Sequence, residues 1–175
     1  MAEAGVSKAV TWGLFAAWAA NDLEELATMA GWARSARPRL KERFPKVPER
    51  VWARMELSQR EVGVAIGLVG AVVAAASADG ARTGGRSPFF RAALAGFGLH
   101  GFLHMVQSLA YRGYTPGVAT APTVVVPYAL WAARRLRAAG IGMGGASVSA
   151  AAPALLPVVV AGAHVLARRI TRPRG

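Results

Sequence analysis

A chain of 175 residues is long enough for about one domain. It is 54% hydrophobic and only 17% charged, with 21 Lys and Arg against 9 Asp and Glu, a net charge of +12 and a mean hydropathy of +0.33. So apolar a composition excludes a disordered polypeptide. Its basic residues fall between long apolar runs, a pattern that points away from nucleic acid and towards a membrane, while the absence of cysteine excludes disulfides, thiol catalysis and thiolate metal sites.

A bilayer core of about 30 Å is crossed by about 20 mostly apolar residues, and five segments meet or approach that length. The first, 9–31, is apolar as far as Ala20 and then carries Asn21, Asp22, Glu24 and Glu25. Its Ala17-Trp18-Ala19 resembles a signal-peptidase site, but only Lys8, set against Glu3, stands before it, so this helix is expected to be retained. A basic linker follows over 34–60, with an interfacial helix expected near 51–57. Its charge would draw anionic lipid headgroups at about 1 kcal/mol per basic residue, and no base-stacking aromatic pattern supports nucleic acid there.

The second segment, 62–77 (VGVAIGLVGAVVAAAS), is short and uninterrupted, and the third, 89–111, contains two histidines. The fourth, 116–133, carries Pro122 and Pro127, with Thr115 expected as N-cap and Pro116 as the first helical residue. A flexible turn is expected at 140–145 (GIGMGG). The fifth segment, 147–167, carries Pro153 and Pro157, which membrane helices tolerate when neighbours satisfy the freed carbonyls. Trp32 and Trp131 suit the aromatic belts, and His164 suits an interface. With the 34–60 linker inside, the cytoplasmic side holds fourteen Lys and Arg and the outside seven, among them Arg134, Arg135 and Arg137. The expected architecture is therefore all-α: a single 1–175 membrane domain of about five transmembrane helices, N-terminus outside and C-terminus cytoplasmic, multi-pass in a bacterial cell membrane.

Charged residues inside a membrane helix are costly and mark function by default. Asn21, Glu24 and Glu25 share one face of the first helix, and His100, His104, Gln107 and Tyr111 form one polar stripe on the third. These two helices run in the same direction. At about 1.5 Å per residue both clusters lie about 18–24 Å below the outer end, so the two stripes are expected to meet.

The string Asn21-Asp22-Leu23-Glu24-Glu25-Leu26 resembles the signature of the HXXEE-domain membrane proteins, a small bacterial family of unassigned function. The block over 99–120 (LHGFLHMVQSLAYRGYTPGVAT), followed by Pro127-Tyr128, is similar to that family's second block. The resemblance spans about residues 12–136, and Asn21 stands where the family's histidine belongs. It implies an architecture and a site, and no reaction.

Three readings stay open. The first is a cofactor-independent acid–base site of isomerase, epimerase or cyclase type for a hydrophobic small molecule. Glu24 and Glu25 would be acid or base, His100 and His104 the proton partners, and Asn21, Asp22, Gln107, Tyr111 and Tyr114 the orienting or substrate-binding groups. The second is a scaffold or accessory protein in which the Glu/His pairs are structural, although such contacts average only about 0.6 kcal/mol. The third is a metal-dependent membrane enzyme with Glu24, Glu25, His100 and His104 holding zinc, iron or manganese. A proton or solute path through so few helices would require a homo-oligomer. A cavity between the first and third helices separates a site from a structural lock.

Overall fold

The computed structural model describes residues 5–143 and 146–171, the side chains of 146–156 excepted. Among them every regular element is helical: α1 (Lys8–Arg43), α2 (Glu49–Ala53), α3 (Gln59–Arg82), α4 (Pro88–Tyr111), a π-helical turn (Ala121–Val125) leading into α5 (Val126–Ala138), and α6 (Ala146–Thr171). Among the described residues two helices, α3 and α4, are long and apolar enough to cross a membrane, with mean hydropathies of 1.9 and 1.2 over their best windows.

The long helices run up and down. Val6 N–H donates to Gly84 O, Trp18 packs on Gly70, and Gln59 Nε2 donates to Leu26 O, so α1 and α3 are antiparallel. A Cβ on Gly70 would stand 2.5 Å from the Trp18 ring, which explains a glycine at that crossing. Phe90 packs on Gly80 and turns α4 back beside α3. Tyr128 donates to Val10 O, setting α5 antiparallel to α1, and Ala163 and Ala167 of α6 pack on Ala65 of α3. One end of the bundle, the head, thus gathers the start of α1, the α3–α4 turn and the end of α5. The other, the base, gathers α2, the end of α4 and the end of α6.

Local chemistry sets the boundaries. Ser58 and Glu61 form a reciprocal capping box at the start of α3. Ser87 accepts from Phe90 N–H, with Pro88 in the first turn of α4. Arg112, left-handed at φ 57°, closes α4 as Gly113 N–H returns to Ser108 O. The widened π turn lies just before Pro127, which has no N–H to give to the preceding turn.

Several boundaries differ from expectation. Residues Arg34 to Arg43 continue α1 through Pro38, because Ala33 and Ala36 are buried and Arg37 pairs with Glu49 and Glu56 while Lys41 pairs with Glu49. The 34–60 linker is therefore helical at both ends, and its short helix is Glu49–Ala53 rather than 51–57. The fourth helix begins later than Pro116: Thr115 accepts from Val118 N–H through its backbone carbonyl, and its hydroxyl caps nothing. Gly140, at φ 71°, opens the expected glycine turn, whose Gly144 and Gly145 lie outside the described residues, as do Glu3, Arg172, Arg174 and the Pro153 side chain.

The bundle core is Val10, Leu14, Trp18, Phe90, Leu94, Phe97, Val125 and Leu136 with their neighbours. The outward faces are apolar as well. Leu99, Phe102, Leu103, Val106 and Leu109 of α4 are exposed, as are Val158, Val165, Leu166 and Ile170 of α6. Soluble helices place polar residues there.

Candidate functional site

Adjacent residues of α1 point about 100° apart, and Glu24 and Glu25 divide accordingly. Glu24 meets the loop between α4 and the π turn. Its Oε1 accepts from Tyr114 Oη at 2.7 Å and Ala119 N–H at 3.1 Å, and its Oε2 from Thr120 N–H at 2.8 Å and Thr120 Oγ1 at 2.6 Å. Ala119 and Thr120 immediately precede the π turn, so this carboxylate satisfies amides that the helix start leaves without partners. Trp32 Nε1 donates to Tyr114 O at 2.8 Å and pins the same loop to α1.

Glu25, only 7% exposed, turns instead towards α4. Its Oε1 lies 2.9 Å from His104 Nε2 and 3.5 Å from His100 Nε2, and the two Nε2 atoms are 2.8 Å apart. His100 and His104, one turn apart, meet edge to face with ring centroids 4.2 Å apart. The loop buttresses His104 from behind. Gly117 has φ 83°, and a Cβ there would stand 2.5 Å from His104 Cε1, so conformation and space both call for glycine. His104 Nδ1 is buried without a hydrogen-bond partner.

This cluster borders a cleft of about 660 Å³ walled by α1, α3, α4 and α6. Apolar residues such as Trp18, Ile66, Val69, Phe97 and Val160 form most of its lining, and Asp22, Glu25, His100 and His104 give it one polar wall. A second groove of about 290 Å³ lies between α4 and α6. His100, His104 and Gln107 line both spaces, so these side chains stand between the cleft and an outward-facing groove.

Of the other expected residues, Asp22 lines the cleft and is 7% exposed. Tyr111 also lines it, edge-on to Trp32 at 5.4 Å and beneath the Arg39 guanidinium. Tyr114 is bound to Glu24 and outside the cleft lining. Asn21 is wholly buried, and neither polar atom of its amide has a partner. His164 of α6 lines the cleft, where sequence reasoning had an interface residue. Only the fold-back of α6 brings it there. Gly117, Ala119 and Thr120 were also missed as site residues, although they stand in the TPGVAT string. Their role depends on a loop returning to α1.

A family model described as "Protein of unknown function with HXXEE motif" matches residues 12–132, which takes in α1 from its second turn through most of α5. No curated protein and no solved structure matches the chain.

Proposed function

The chain belongs to the family of proteins with an HXXEE motif, and from that premise we propose an integral membrane protein of five spans whose cleft takes up a hydrophobic small molecule and performs acid–base chemistry on it. Apolar outward faces on α4 and α6, and two helices of spanning length, support the membrane setting. The charge bias of the loops puts the base, with its basic α1 extension and α2, on the cytoplasmic side against anionic headgroups.

One observation carries the chemistry: in an apolar cleft sized for a small molecule, one wall holds two carboxylates and two imidazoles. Glu25 is engaged by both histidines. Asp22 lines the same cleft one turn earlier and is the carboxyl left to exchange a proton with a bound molecule. Glu25, His104 and His100 polarise that molecule. For Glu24 the specific observation of four loop donors favours a structural role, the lock of the scaffold reading.

Proton exchange at carbon leaves a mass label. Purified protein incubated in D₂O with the apolar extract of its native membranes is expected to deuterate one class of molecule, and Asp22→Asn to abolish the label. No labelled molecule with folded wild type, or equal labelling by Asp22→Asn, sinks the reading.

A further inference from the structure

Three lone-pair atoms from two helices converge at the cleft wall: Glu25 Oε1, His100 Nε2 and His104 Nε2, all within 4.8 Å of one another. We infer that these three residues form a binding site for a divalent first-row metal ion, with Glu24 outside its ligand set. The inference deepens the proposal above and rests on it for what the ion would do to a molecule in the cleft.

The edges of the triangle are 2.8, 2.9 and 3.5 Å. Tetrahedral ligands held about 2.0–2.1 Å from zinc stand about 3.3 Å apart, so the atoms lie near the spacing one ion imposes. Protons satisfy this arrangement poorly. If His100 Nε2–H donates to His104 Nε2, the lone pair of His104 is used and its nitrogen faces the Glu25 oxygen 2.9 Å away with nothing between. If His104 carries the Nε2–H, that one proton is shared between Glu25 Oε1 and His100 Nε2 and lies well off the line to each. A single cation at the centre is attracted to all three lone pairs at once.

Two imidazoles and one carboxylate are the donor set of catalytic zinc and of non-haem iron(II) centres, which keep positions open for water or substrate. All three residues line the cleft, so an open position there reaches a bound molecule. The ring of His104 is held by Gly117 packed against it, and Glu25 by an α1 that the Trp32 and Glu24 contacts tie to the loop carrying that glycine. Nothing in the cluster needs cysteine, which the chain lacks.

The test is cobalt(II), then zinc, titrated into chelator-treated, detergent-purified full-length protein, with the cobalt absorption bands reporting geometry and calorimetry reporting stoichiometry. Wild type is expected to bind one equivalent with the visible bands of a four- or five-coordinate site. Loss of an outer hydrogen-bond partner already weakens metal sites by about 10–100-fold. Loss of a ligand in His100→Gln or Glu25→Gln is therefore expected to weaken binding by more than about 100-fold. His100 is a partly exposed position, so His100→Gln tests the ligand without emptying a core site. Glu42→Gln, on the exposed part of α1, is expected to bind as wild type does. Absence of a stoichiometric cobalt band in wild type, or equal affinity in His100→Gln and wild type, overturns the inference. Deuterium labelling without metal binding sinks the metal site and leaves the acid–base reading. Metal binding without labelling does the reverse.

Discussion

Asn21 is the residue at which this chain parts from its family's motif, and its amide is buried with neither the oxygen nor the nitrogen partnered. A buried polar group without a partner costs about 1–3 kcal/mol, and replacing it by an apolar group of similar size recovers that penalty. Asn21→Leu is therefore expected to raise the thermal midpoint of the detergent-solubilised protein, by about 1–3 kcal/mol of stability. An unchanged or lower midpoint would show that Asn21 has a partner in the folded protein. The pairing of Glu25 with His100 and His104 was legible from spacing and depth alone, because i, i+4 periodicity and equal distances from two helix starts are local quantities. The separation of Glu24 from Glu25 was not legible. It depends on Tyr114, Ala119 and Thr120, which lie 90 to 96 residues further along the chain and return to α1 only in the folded bundle.

The element that departs most from expectation is the extension of α1. Expected as part of a basic cytoplasmic linker over 34–60, Arg34 to Arg43 instead continues α1 and builds a second, smaller assembly with α2. Arg37 bridges Glu49 and Glu56, Lys41 reaches Glu49, and Trp52 tucks in with its Nε1 donating to Val47 O at 3.0 Å. Charge alone identified the segment but could not say which acids its bases would meet. Lys41, and then Arg37, hold Glu49 below its ordinary range, and Glu56 and Glu49 raise Arg37 above its own. A lowered carboxylate contributes stability that is complete above its unfolded value, about 4.3. That contribution is lost as pH falls through the folded value. The docking of α2 is therefore expected to be constant from neutral pH down to about 5 and to loosen below about 4. Trp52 is buried, so the difference in fluorescence between wild type and Trp52→Phe reports the loosening. Because these pairs are exposed, high salt is expected to weaken the docking at neutral pH too. A Trp52 signal flat to pH 3 would mean that packing, not the ion pairs, holds α2.

For the whole molecule, five apolar segments were legible because burial in lipid or protein imposes the same long runs, and five helices occupy those segments. What the runs could not contain is the arrangement: α6 packs against α3 and α4 and α1 mainly against α3 and α5, so α1 and α4 meet only sparsely, at the Glu25–His pair and near Tyr111, beside an open cleft. The up-and-down order places Lys8 at the head and Thr171 at the base, so an odd number of crossings follows if each long helix spans. The basic residues divide unevenly between these ends, yet Arg134, Arg135 and Arg137 sit at the head, on the side the charge rule assigns to the exterior. A chain without cysteine permits a direct test, since every introduced thiol is the sole one. Ser7→Cys, Arg82→Cys and Ala138→Cys lie at the head; Arg50→Cys, Gly113→Cys and Ile170→Cys lie at the base. In sealed cells a membrane-impermeant maleimide is expected to label the first three and to reach the others only after permeabilisation. The reverse pattern would keep the five spans and invert the protein, giving the three head arginines precedence over the α1–α2 charges. Labelling of both sets in intact vesicles of either orientation would remove the bilayer from around the bundle.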